Sequence, residues 1–349
     1  MKVLITGGAG FIGRFFCDAL DARSIDFTIL DLHAPDDQYR NRFIQGDVRD
    51  PAAVEMALEG CDAVLHLAAA HHDFGIEEST YYSVNQHGTS VLAQAMAAGG
   101  IDRICFFSTV AVYGDAARPI DESTPPEPVS FYGKSKLAGE VVLKEWVAAD
   151  QQRQSLIIRP TVVFGPGNFA NMYTLIRQVE RGRYLQVGPG TNIKSICYVE
   201  NLVAAVVDLW LDRQDQRAGF EVFNYVDKPD LTSREISSSI YRHLGRKVPA
   251  LSVPFVAARL LALPFDLVTT ATGKDLGIST ARIRKLAMDV TCFEAEKVRQ
   301  TGFQAPVDLA EGIGRMVRWY QETGKQADRE CHIPPAEIKT VRQSTVSTS

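Results

Sequence analysis

A tyrosine and a lysine lie four residues apart in the segment SFYGKSKLAGE, which covers residues 130–140 and has the pattern of an amphipathic helix. On a helix, positions i and i+4 share one face. A tyrosine hydroxyl has an ordinary pKa of about 10, so it needs a nearby cation to exchange protons at neutral pH. Lys136 could supply that cation to Tyr132. Because this spacing also occurs by chance in many helices, the prediction of an acid–base pair depends on other segments.

A second segment brings hydroxyl groups to the same chemistry. FFSTVAVYG, residues 106–114, reads as an apolar strand that ends in Ser108 and Thr109. The carboxyl ends of parallel strands form the edge where α/β sheets bind ligands. A hydroxyl at this edge could share one substrate oxygen with Tyr132, which lies 23 residues after Thr109. The two segments together predict proton transfer to or from a substrate hydroxyl.

A glycine-rich turn follows the first predicted strand, where KVLITGGAGFIG places Gly7, Gly10 and Gly13 before a helix. In dinucleotide sites such glycines permit the tight turn, the approach of backbone to the pyrophosphate and the close packing of the helix. Asp31 ends the next strand, 18 residues after Gly13. An acidic residue there accepts hydrogen bonds from ribose hydroxyls and repels a 2′-phosphate, so the sequence predicts NAD rather than NADP.

Three residues near this turn have more than one interpretation. Asp31 could simply cap the junction of a strand and a loop. Arg14 could meet a 2′-phosphate, although a cation on a helix surface is more often solvated. Asp47, in GDVRDP, could contact the adenine edge, or it could be a helix N-cap or turn residue. With a dinucleotide at this edge, Lys136 could also reach the nicotinamide ribose.

Short strand-like runs alternate with longer helix-like segments, as in KVLIT, FIGRFFCDALDA and FTILD. This alternation predicts an α/β fold, with a Rossmann-type doubly wound parallel sheet and a smaller C-terminal α/β substrate-binding domain. We expect residues 1–165 to form the dinucleotide-binding domain, with returning segments at about 195–226. Residues 166–194 and 227–325 are assigned to the substrate-binding domain. Residues 326–349, rich in Ser and Thr, are expected to be a disordered tail.

Composition excludes several classes of partner. Hydrophobic residues make up 46% of the 349, enough for a sizeable core, and the formal net charge is −5 with a pI near 5.9. Lys and Arg are scattered, so the basic stripe of a nucleic-acid surface is missing. The six cysteines are widely spaced without a C-x-x-C pair, and the chain opens on a predicted strand rather than a signal peptide. These features predict a cytoplasmic protein.

The longest apolar stretch is VPFVAARLLALPFDLV, which starts at Val253. Arg259, Pro264 and Asp266 interrupt it, so it falls short of the ~18 uninterrupted apolar residues that a membrane span requires. We expect a helix at a domain or subunit face. Contact with a membrane surface is the less favoured alternative.

Histidines near the strand AVLHLA could suggest a metal site. His71 and His72 precede Asp73, but adjacent histidines do not easily face one ion, and no cluster of carboxylates or cysteines joins them. No metal is therefore predicted, and contact with substrate at the mouth of the site explains these residues better. His66, within the strand, is expected to be a core histidine with satisfied hydrogen bonds.

Taken in order, these segments resemble the extended short-chain dehydrogenase/reductase superfamily, in particular its NAD-dependent nucleotide-sugar epimerase/dehydratase family, of the UDP-glucose 4-epimerase type. The matching segments span residues 1 to about 322 and are TGGAGFIG, Asp31, GDVRD, HLAA, VNQHGT, STVAVYG, YGKSK, RPTVVFGPGN, YVENL and FEAEKVRQTGFQAPVDLAEGIGRMVRWY. The resemblance implies NAD as cofactor, a nucleotide-diphosphate sugar as substrate, and a homodimer formed through helices at 79–99 and 131–149.

The resemblance also implies roles for single residues. Tyr132 would be the acid–base, Lys136 would orient the cofactor and tune Tyr132, and Thr109 would hold the substrate hydroxyl, which leaves Ser108 structural. The implied cofactor-binding residues are Gly7, Gly10, Phe11, Ile12, Gly13, Asp31, Asp47, Val48, Leu67, Ala68, Ala69, Asn85, Tyr132, Lys136, Pro160 and Val163. The implied substrate-binding residues are Thr109, Asn168, Lys194 and Arg282, with Asn171, Arg284 and Lys285 as further candidates. Asn85 could instead be a helix cap, and the basic run that starts at Arg282 could be a solvated helix face.

Departures from the family pattern narrow the expected reaction. The family's sugar dehydratases follow the threonine with Asp-Glu, whereas this chain has Val110 and Ala111, so dehydration is disfavoured. Lys194 and Ser195 replace an Arg and an Asp of the family's diphosphate-binding segment. Lysine lacks the bidentate fork of arginine, which makes recognition of a nucleotide less secure than recognition of the cofactor.

The sequence therefore predicts an NAD-dependent epimerase of a nucleotide-diphosphate sugar, acting by transient hydride transfer through a keto-sugar intermediate. The same residues would serve the alternative, a net NAD(P)-dependent dehydrogenase or ketoreductase of a nucleotide sugar or another secondary alcohol. A non-catalytic NAD(H)-binding sensor is less favoured, because Thr109, Tyr132 and Lys136 are all present.

Overall fold

The computed structural model describes residues 1–71, 76–116, 119–213, 219–250, 252–258, 260, 263–264, 280 and 291–327. Strands in these residues are β1 (Lys2–Thr6), β2 (Asp26–Asp31), β3 (Phe43–Gln45), β4 (Ala63–His66), β5 (Arg103–Phe107), β6 (Gln154–Pro160), β7 (Val162–Phe164), β8 (Ile193–Lys194), β9 (Ile196–Tyr198), β10 (Phe220–Tyr225) and β11 (Leu231–Thr232). Helices are α1 (Phe11–Ala22), α2 (Pro51–Leu58), α3 (Glu78–Tyr82), α4 (Thr89–Gly99), α5 (Phe131–Ala148), α6 (Asn171–Glu180), α7 (Val199–Val207), α8 (Ser233–His243), α9 (Glu296–Gln300) and α10 (Leu309–Trp319). Shorter 3-10 turns cover Asp37–Arg42 and Val110–Tyr113, and π-helical turns cover Ser83–Gly88, Asp208–Asp212 and Tyr320–Gly324.

Seven strands form one sheet in the order β10-β6-β5-β4-β1-β2-β3. Each neighbouring pair in this sheet is parallel. The strand order reverses at β1, where Thr6 pairs with Leu30 on one side and with His66 on the other. Ligands bind at such a switch point, beyond the carboxyl ends of the strands. The predicted Rossmann-type, doubly wound parallel sheet is confirmed.

Both faces of this sheet are covered by helices, which explains the apolar runs in the sequence. On β1, Val3 and Ile5 belong to a core that includes Phe16 of α1, whereas Leu4 belongs to a core that includes Leu92 of α4. Alternate residues of a strand face opposite sides of the sheet. A strand buried on both sides must therefore be apolar at almost every position, as KVLIT is.

Smaller strand pairs and helices lie beyond the sheet. β7 pairs with β9 in parallel, β8 pairs with β11 antiparallel, and α10 packs on α8. Ile313 and Val317 of α10 belong to the same core as Val3 of β1. The division into a dinucleotide-binding domain and a substrate-binding domain stays a prediction. Of the predicted disordered tail, residues 328–349 lie outside the described residues.

The structure bears on the sequence predictions about membrane spans and cysteines. None of the described helices is long and apolar enough to cross a membrane. Five of the six cysteines lie in the described part of the chain, and these five are free thiols. Of the apolar stretch that starts at Val253, residues 253–258, 260 and 263–264 are described.

Candidate active site

α5 carries both members of the predicted acid–base pair. The Oγ atom of Ser130 accepts a hydrogen bond from the Gly133 N–H (3.0 Å) and so caps the helix, which begins at Phe131. Tyr132 and Lys136 therefore lie on one helix face, one turn apart. Tyr132 is half-buried, whereas only 1% of the Lys136 surface is exposed.

The ammonium group of Lys136 lies in an apolar setting. Its Nζ atom is 4.1 Å from the ring centre of Phe106 and has no hydrogen-bond partner among the residues that the structure describes. Burial lowers the pKa of Lys136 from 10.5 to about 7, against the opposing effect of the nearby Glu140 carboxylate. A buried donor is costly unless something accepts its hydrogen bond. Nζ thus marks a place that suits an oxygen of a bound cofactor or substrate.

The turn after β5 brings Thr109 to α5. The Oγ1 atom of Thr109 accepts a hydrogen bond from the Ala111 N–H (3.2 Å), and the 3-10 turn starts here. This turn packs tightly on the start of α5, because a Cβ atom on Gly133 would lie 2.5 Å from the Ala111 carbonyl oxygen. Half-buried Thr109 and the first turn of α5, with Tyr132, therefore lie at the same edge of the sheet.

A buried ion pair lies one turn beyond Lys136 on α5, and sequence reasoning missed it. Arg159 of β6 donates to both oxygens of Glu140, with an Nε–Oε1 distance of 2.9 Å and an Nη2–Oε2 distance of 2.5 Å. The Ser108 hydroxyl also donates to Glu140, and Arg159 Nη1 donates to the Tyr113 hydroxyl at 2.8 Å. These bonds tie the ends of β5 and β6 to α5 and agree with a structural role for Ser108. An arginine inside the apolar run SLIIRP was the available signal.

The glycine-rich turn has the backbone that a dinucleotide needs. Gly7 has a φ of +72°, and a Cβ atom there would lie 2.6 Å from the backbone nitrogen of Ala68. A Cβ atom on Gly13 would lie 2.5 Å from the carbonyl oxygen of Gly8, so the close packing of α1 requires glycine. In the described structure no side chain caps α1, and its first turn carries no acidic residue. The N–H groups of this helix end can therefore receive an anion.

Asp31 lies at the carboxyl end of β2, beside this turn. Its carboxylate accepts hydrogen bonds from the Ala9 N–H (3.0 Å) and the His33 N–H (3.2 Å), and burial raises the pKa of the carboxyl group. Arg14 turns toward Asp36, with 3.8 Å between Nη1 and Oδ2. Because the guanidinium of Arg14 already has an acidic neighbour, these positions favour a ribose hydroxyl over a 2′-phosphate.

The loop after β4 completes this edge. Leu67, Ala68 and Ala69 are half-buried there. Asn85 is buried and holds the loop against α5: it accepts from the Ala70 N–H (2.8 Å) and donates to the Ala70 carbonyl and to Ser135 Oγ (both 2.9 Å). Direct contact of Asn85 with a cofactor stays a prediction. Further predicted cofactor-binding residues begin α1 (Phe11 and Ile12), end β6 (Pro160) and lie in β7 (Val163).

Asp47 and Val48 follow β3. The Asp47 carboxylate accepts from the Arg49 N–H (2.9 Å) and forms an ion pair with its guanidinium, with 2.6 Å between Nη2 and Oδ2. The N-cap of α2 is Asp50, which accepts from the Ala52 N–H. Asp47 is thus a turn residue in an ion pair, Val48 is buried, and their contact with adenine stays a prediction.

His66 is the core histidine that the sequence predicted. Its Nδ1 atom lies 2.6 Å from Thr6 Oγ1, and its Nε2 atom lies 3.1 Å from Thr89 Oγ1. Burial, together with the nearby charge of Lys136, lowers the pKa of His66 to about 3, so the ring is neutral at pH 7. His71 is exposed, and its neighbours in the sequence, His72 and Asp73, lie outside the described residues.

The predicted substrate-binding residues that the structure describes lie in separate loops and strands, unlike Tyr132 and Lys136, which share α5. Asn168 accepts from the Ala170 N–H (2.7 Å) and so shapes the loop before α6, which begins at Asn171. Lys194 is half-buried in β8, and the buried Ser195 beside it donates to Asp230 at 2.7 Å. The basic run, Arg282, Arg284 and Lys285, lies outside the described residues.

One group of possible metal ligands occurs among the described residues. An oxygen or sulfur atom from each of Asp230, Cys292 and Glu294 lies within 4.8 Å of the others. Lys228 Nζ donates to Asp230 (2.7 Å) and to Glu294 (3.1 Å). A cation of the protein itself therefore already pairs with both carboxylates, and we describe the group as an ion-pair cluster.

Comparison with known proteins identifies relatives along most of the chain. Residues 3–224 match the NAD dependent epimerase/dehydratase family. An Escherichia coli O157:H7 protein, N-acetyl-alpha-D-glucosaminyl-diphospho-ditrans,octacis-undecaprenol 4-epimerase, is 38% identical over 94% of this chain and 97% of its own length. The UDP-glucose 4-epimerase of Vibrio cholerae is 30% identical over 78% of this chain and 85% of its own. The crystal structure of Thermus thermophilus UDP-glucose 4-epimerase in complex with NAD shares the fold, with a TM-score of 0.70 at 22% identity over 93% of this chain and all of that one.

Proposed function

The chain belongs to the NAD dependent epimerase/dehydratase family and is an NAD-dependent epimerase, and we propose that it inverts one hydroxyl-bearing carbon of a sugar carried on a diphosphate. The observation that carries the proposal is the buried Nζ atom of Lys136, which has no partner in the described part of the chain and lies one turn from Tyr132. At the carboxyl edge of a doubly wound sheet, this cation is suited to hold a cofactor hydroxyl and to stabilise a phenolate.

The residues at the switch point fit the cofactor. The N-terminus of α1 would hold the pyrophosphate, Asp31 would accept from the adenosine ribose hydroxyls, and Lys136 would donate to the nicotinamide ribose. Bound NAD supplies first a hydride acceptor and then a hydride donor. The protein's own residues must position the substrate and move its proton.

Tyr132 would transfer that proton, and Thr109 would hold the substrate oxygen by a hydrogen bond. Tyr132, as phenolate, accepts the proton of the substrate hydroxyl while the carbon bearing it is oxidised to a ketone. The Thr109 hydroxyl accepts one hydrogen bond from the Ala111 N–H, so its own proton is available to the same substrate oxygen. After the keto-sugar turns over in the pocket, a hydride would return to the opposite face of the carbonyl carbon, and Tyr132 would give its proton back to the carbonyl oxygen, which completes the inverted alcohol.

Elimination of water is not supported by the residues after Thr109. Val110 and Ala111 form the 3-10 turn and offer neither a carboxylic acid nor a carboxylate base. A net dehydrogenase or ketoreductase remains the alternative reaction, since Thr109, Tyr132 and Lys136 would serve it equally. It differs in that the cofactor must leave after each turnover.

The carrier of the sugar is proposed to be a diphosphate. The Vibrio cholerae relative is named for a nucleotide sugar, whereas the Escherichia coli relative is named for a sugar on undecaprenyl diphosphate. The sugars differ, glucose in one name and N-acetylglucosamine in the other, but each is attached to a diphosphate. We therefore place the reacting sugar beside Tyr132 and the diphosphate toward the loop of Asn168 and the strand of Lys194.

The assembly is proposed to be a cytoplasmic homodimer that serves polysaccharide biosynthesis. Its interface would use the helices at 79–99 and 131–149, where Phe131 and Val141 of α5 are exposed large apolar side chains. Light scattering on Val141→Glu tests the interface. A dimer that persists in this variant would contradict the placement.

The reaction is tested with purified protein, catalytic NAD and a panel of UDP-, GDP- and dTDP-sugars and polyprenyl diphosphate sugars. A new epimer without net NADH absorbance, lost in Tyr132→Phe by a factor of at least about 100, is the expected result. Stoichiometric NADH would identify a dehydrogenase instead. Full activity in Tyr132→Phe would contradict the assignment of the acid–base residue.

A further inference from the structure

An exposed apolar surface lies on the helical segment that follows Val253. Residues 255–258, 260 and 263–264 are helical, and Val256, Leu260 and Leu263 are 68%, 61% and 44% exposed. These three side chains are here called the apolar stripe, and their spacing of four and three residues is the spacing of positions that share one face of a helix. Large apolar side chains that are grouped on a surface mark a contact with another molecule or with a membrane.

Backbone hydrogen bonds hold this segment to the rest of the protein. The Val253 N–H donates to the Gln186 carbonyl (2.8 Å), and the Gly188 N–H donates to the Val253 carbonyl (2.9 Å). Ala258 is buried, so the other side of the segment packs inward. Leu185, next to Gln186 and 70% exposed, adds a further apolar side chain beside this pairing. The three exposed side chains of the stripe therefore belong to a segment that backbone hydrogen bonds at Val253 hold in place.

The group that carries the sugar diphosphate, a nucleotide or a polyprenol, indicates which partner the apolar stripe contacts. Ser195 stands where the resembling family has an Asp in its diphosphate-binding segment, and its hydroxyl is buried and bound to Asp230. Lys194 stands where that family has a forked arginine. The relative that is similar over 94% of this chain is named for a sugar diphosphate on undecaprenol. A polyprenyl chain lies in a bilayer, so an enzyme that uses such a substrate must meet the membrane surface.

We propose that the apolar stripe docks the enzyme on the surface of a bilayer, from which it takes a polyprenyl diphosphate-linked sugar; this inference rests on the proposed function. The stripe enters the headgroup region, as the apolar face of an interfacial helix does. The surrounding sequence suits anionic headgroups, because from residue 253 to 290 basic residues outnumber the three aspartates, although the whole chain has a net charge of −5. These basic residues are Arg259, Lys274, Arg282, Arg284 and Lys285.

Docking is tested by sedimentation of the full-length protein with vesicles of phosphatidylethanolamine and phosphatidylglycerol. Leu260→Glu places a charge in the stripe, and Met56→Glu is the matched control, because Met56 is 57% exposed on α2. We expect the wild type and the control to bind equally and Leu260→Glu to bind about tenfold more weakly or worse. Thermal unfolding of the variants checks that both remain folded.

Epimerisation on two carriers separates docking from chemistry. Leu260→Glu should lose activity toward a polyprenyl diphosphate sugar in these vesicles and keep it toward the same sugar on a short, water-soluble prenyl diphosphate. Absence of vesicle binding by the wild type, or equal binding by Leu260→Glu, would overturn the proposal. A dimer that becomes a monomer in Leu260→Glu, with vesicle binding unchanged, would assign the stripe to contact between two copies. Stripe-dependent binding without turnover of either carrier would preserve docking and reject a prenyl diphosphate-linked sugar as the substrate. Loss of turnover with the UDP-, GDP- and dTDP-sugars as well would reject the proposed function.

Discussion

Replacement of Lys136 by methionine is expected to stabilise the cofactor-free protein while it abolishes activity. Nζ lies over the ring of Phe106, without a hydrogen-bond partner among the described residues, and burial lowers the pKa of Lys136 from 10.5 to about 7. The unfolded chain keeps the ordinary pKa, so between these two values the unfolded state binds the extra proton. The free energy of unfolding of the wild type should therefore rise with pH across this window. Methionine has no proton to lose, so the variant lacks this rise.

The size of the effect follows from the shift. One pKa unit corresponds to about 1.4 kcal/mol, so from about pH 6.5 to about pH 9.5 the wild type should gain about 3 kcal/mol of unfolding free energy relative to Lys136→Met. Urea unfolding of the cofactor-free protein at several pH values measures this difference. Lys134→Met, which removes an exposed ammonium from the same helix, is the control. Parallel pH profiles for the wild type and Lys136→Met would refute the claim that Nζ is desolvated.

Bound NAD provides a second readout of the same group. If Nζ donates to the nicotinamide ribose, NAD should raise the melting temperature of the wild type more than that of Lys136→Met, because the variant cannot form this bond. Equal shifts would contradict the hydrogen bond from Nζ to the nicotinamide ribose. The comparison needs no substrate, so it is independent of the sugar assignment.

Three further changes test other parts of the site. Glu140→Ala leaves a buried guanidinium without its carboxylate and should lower the free energy of unfolding by about 3–5 kcal/mol. Its control, Asp212→Ala, breaks an exposed ion pair and should lower this free energy by less than about 1 kcal/mol. Equal losses in urea unfolding would contradict the burial of the Glu140–Arg159 pair. Gly7→Ala should destabilise the protein and abolish NAD binding in calorimetry, unlike Gly60→Ala, whose new Cβ atom at a similar φ of +69° has nothing within 4 Å. Asp31→Ala should weaken NAD binding about tenfold and NADP binding much less; equal changes would remove the ribose contact.

Local patterns predicted the fold class because they depend on short-range geometry. The apolar runs KVLIT and ICFFST alternate with helix-like segments. A strand that is covered on both faces must be apolar at almost every position, so such runs indicate a sheet with helices on both sides. Likewise, the glycines at the end of the first strand predicted the tight turn that Gly7 makes with its φ of +72°. These features need only the residues on either side of them.

The site divides in the same way. The sequence by itself determined that Tyr132 and Lys136 share a helix face, because spacing four on a helix fixes this. Only the tertiary structure decided that Nζ is buried over Phe106, that Glu140 pairs with Arg159, and that Asn85 clamps a loop. Desolvation and hydrogen-bond partners depend on segments that are distant in the chain and meet only when the sheet and its helices pack. Residue spacing in the sequence does not show which distant segments come into contact. The pKa of Lys136 and the hydrogen-bond partners of Glu140 and Asn85 therefore follow only from the tertiary structure.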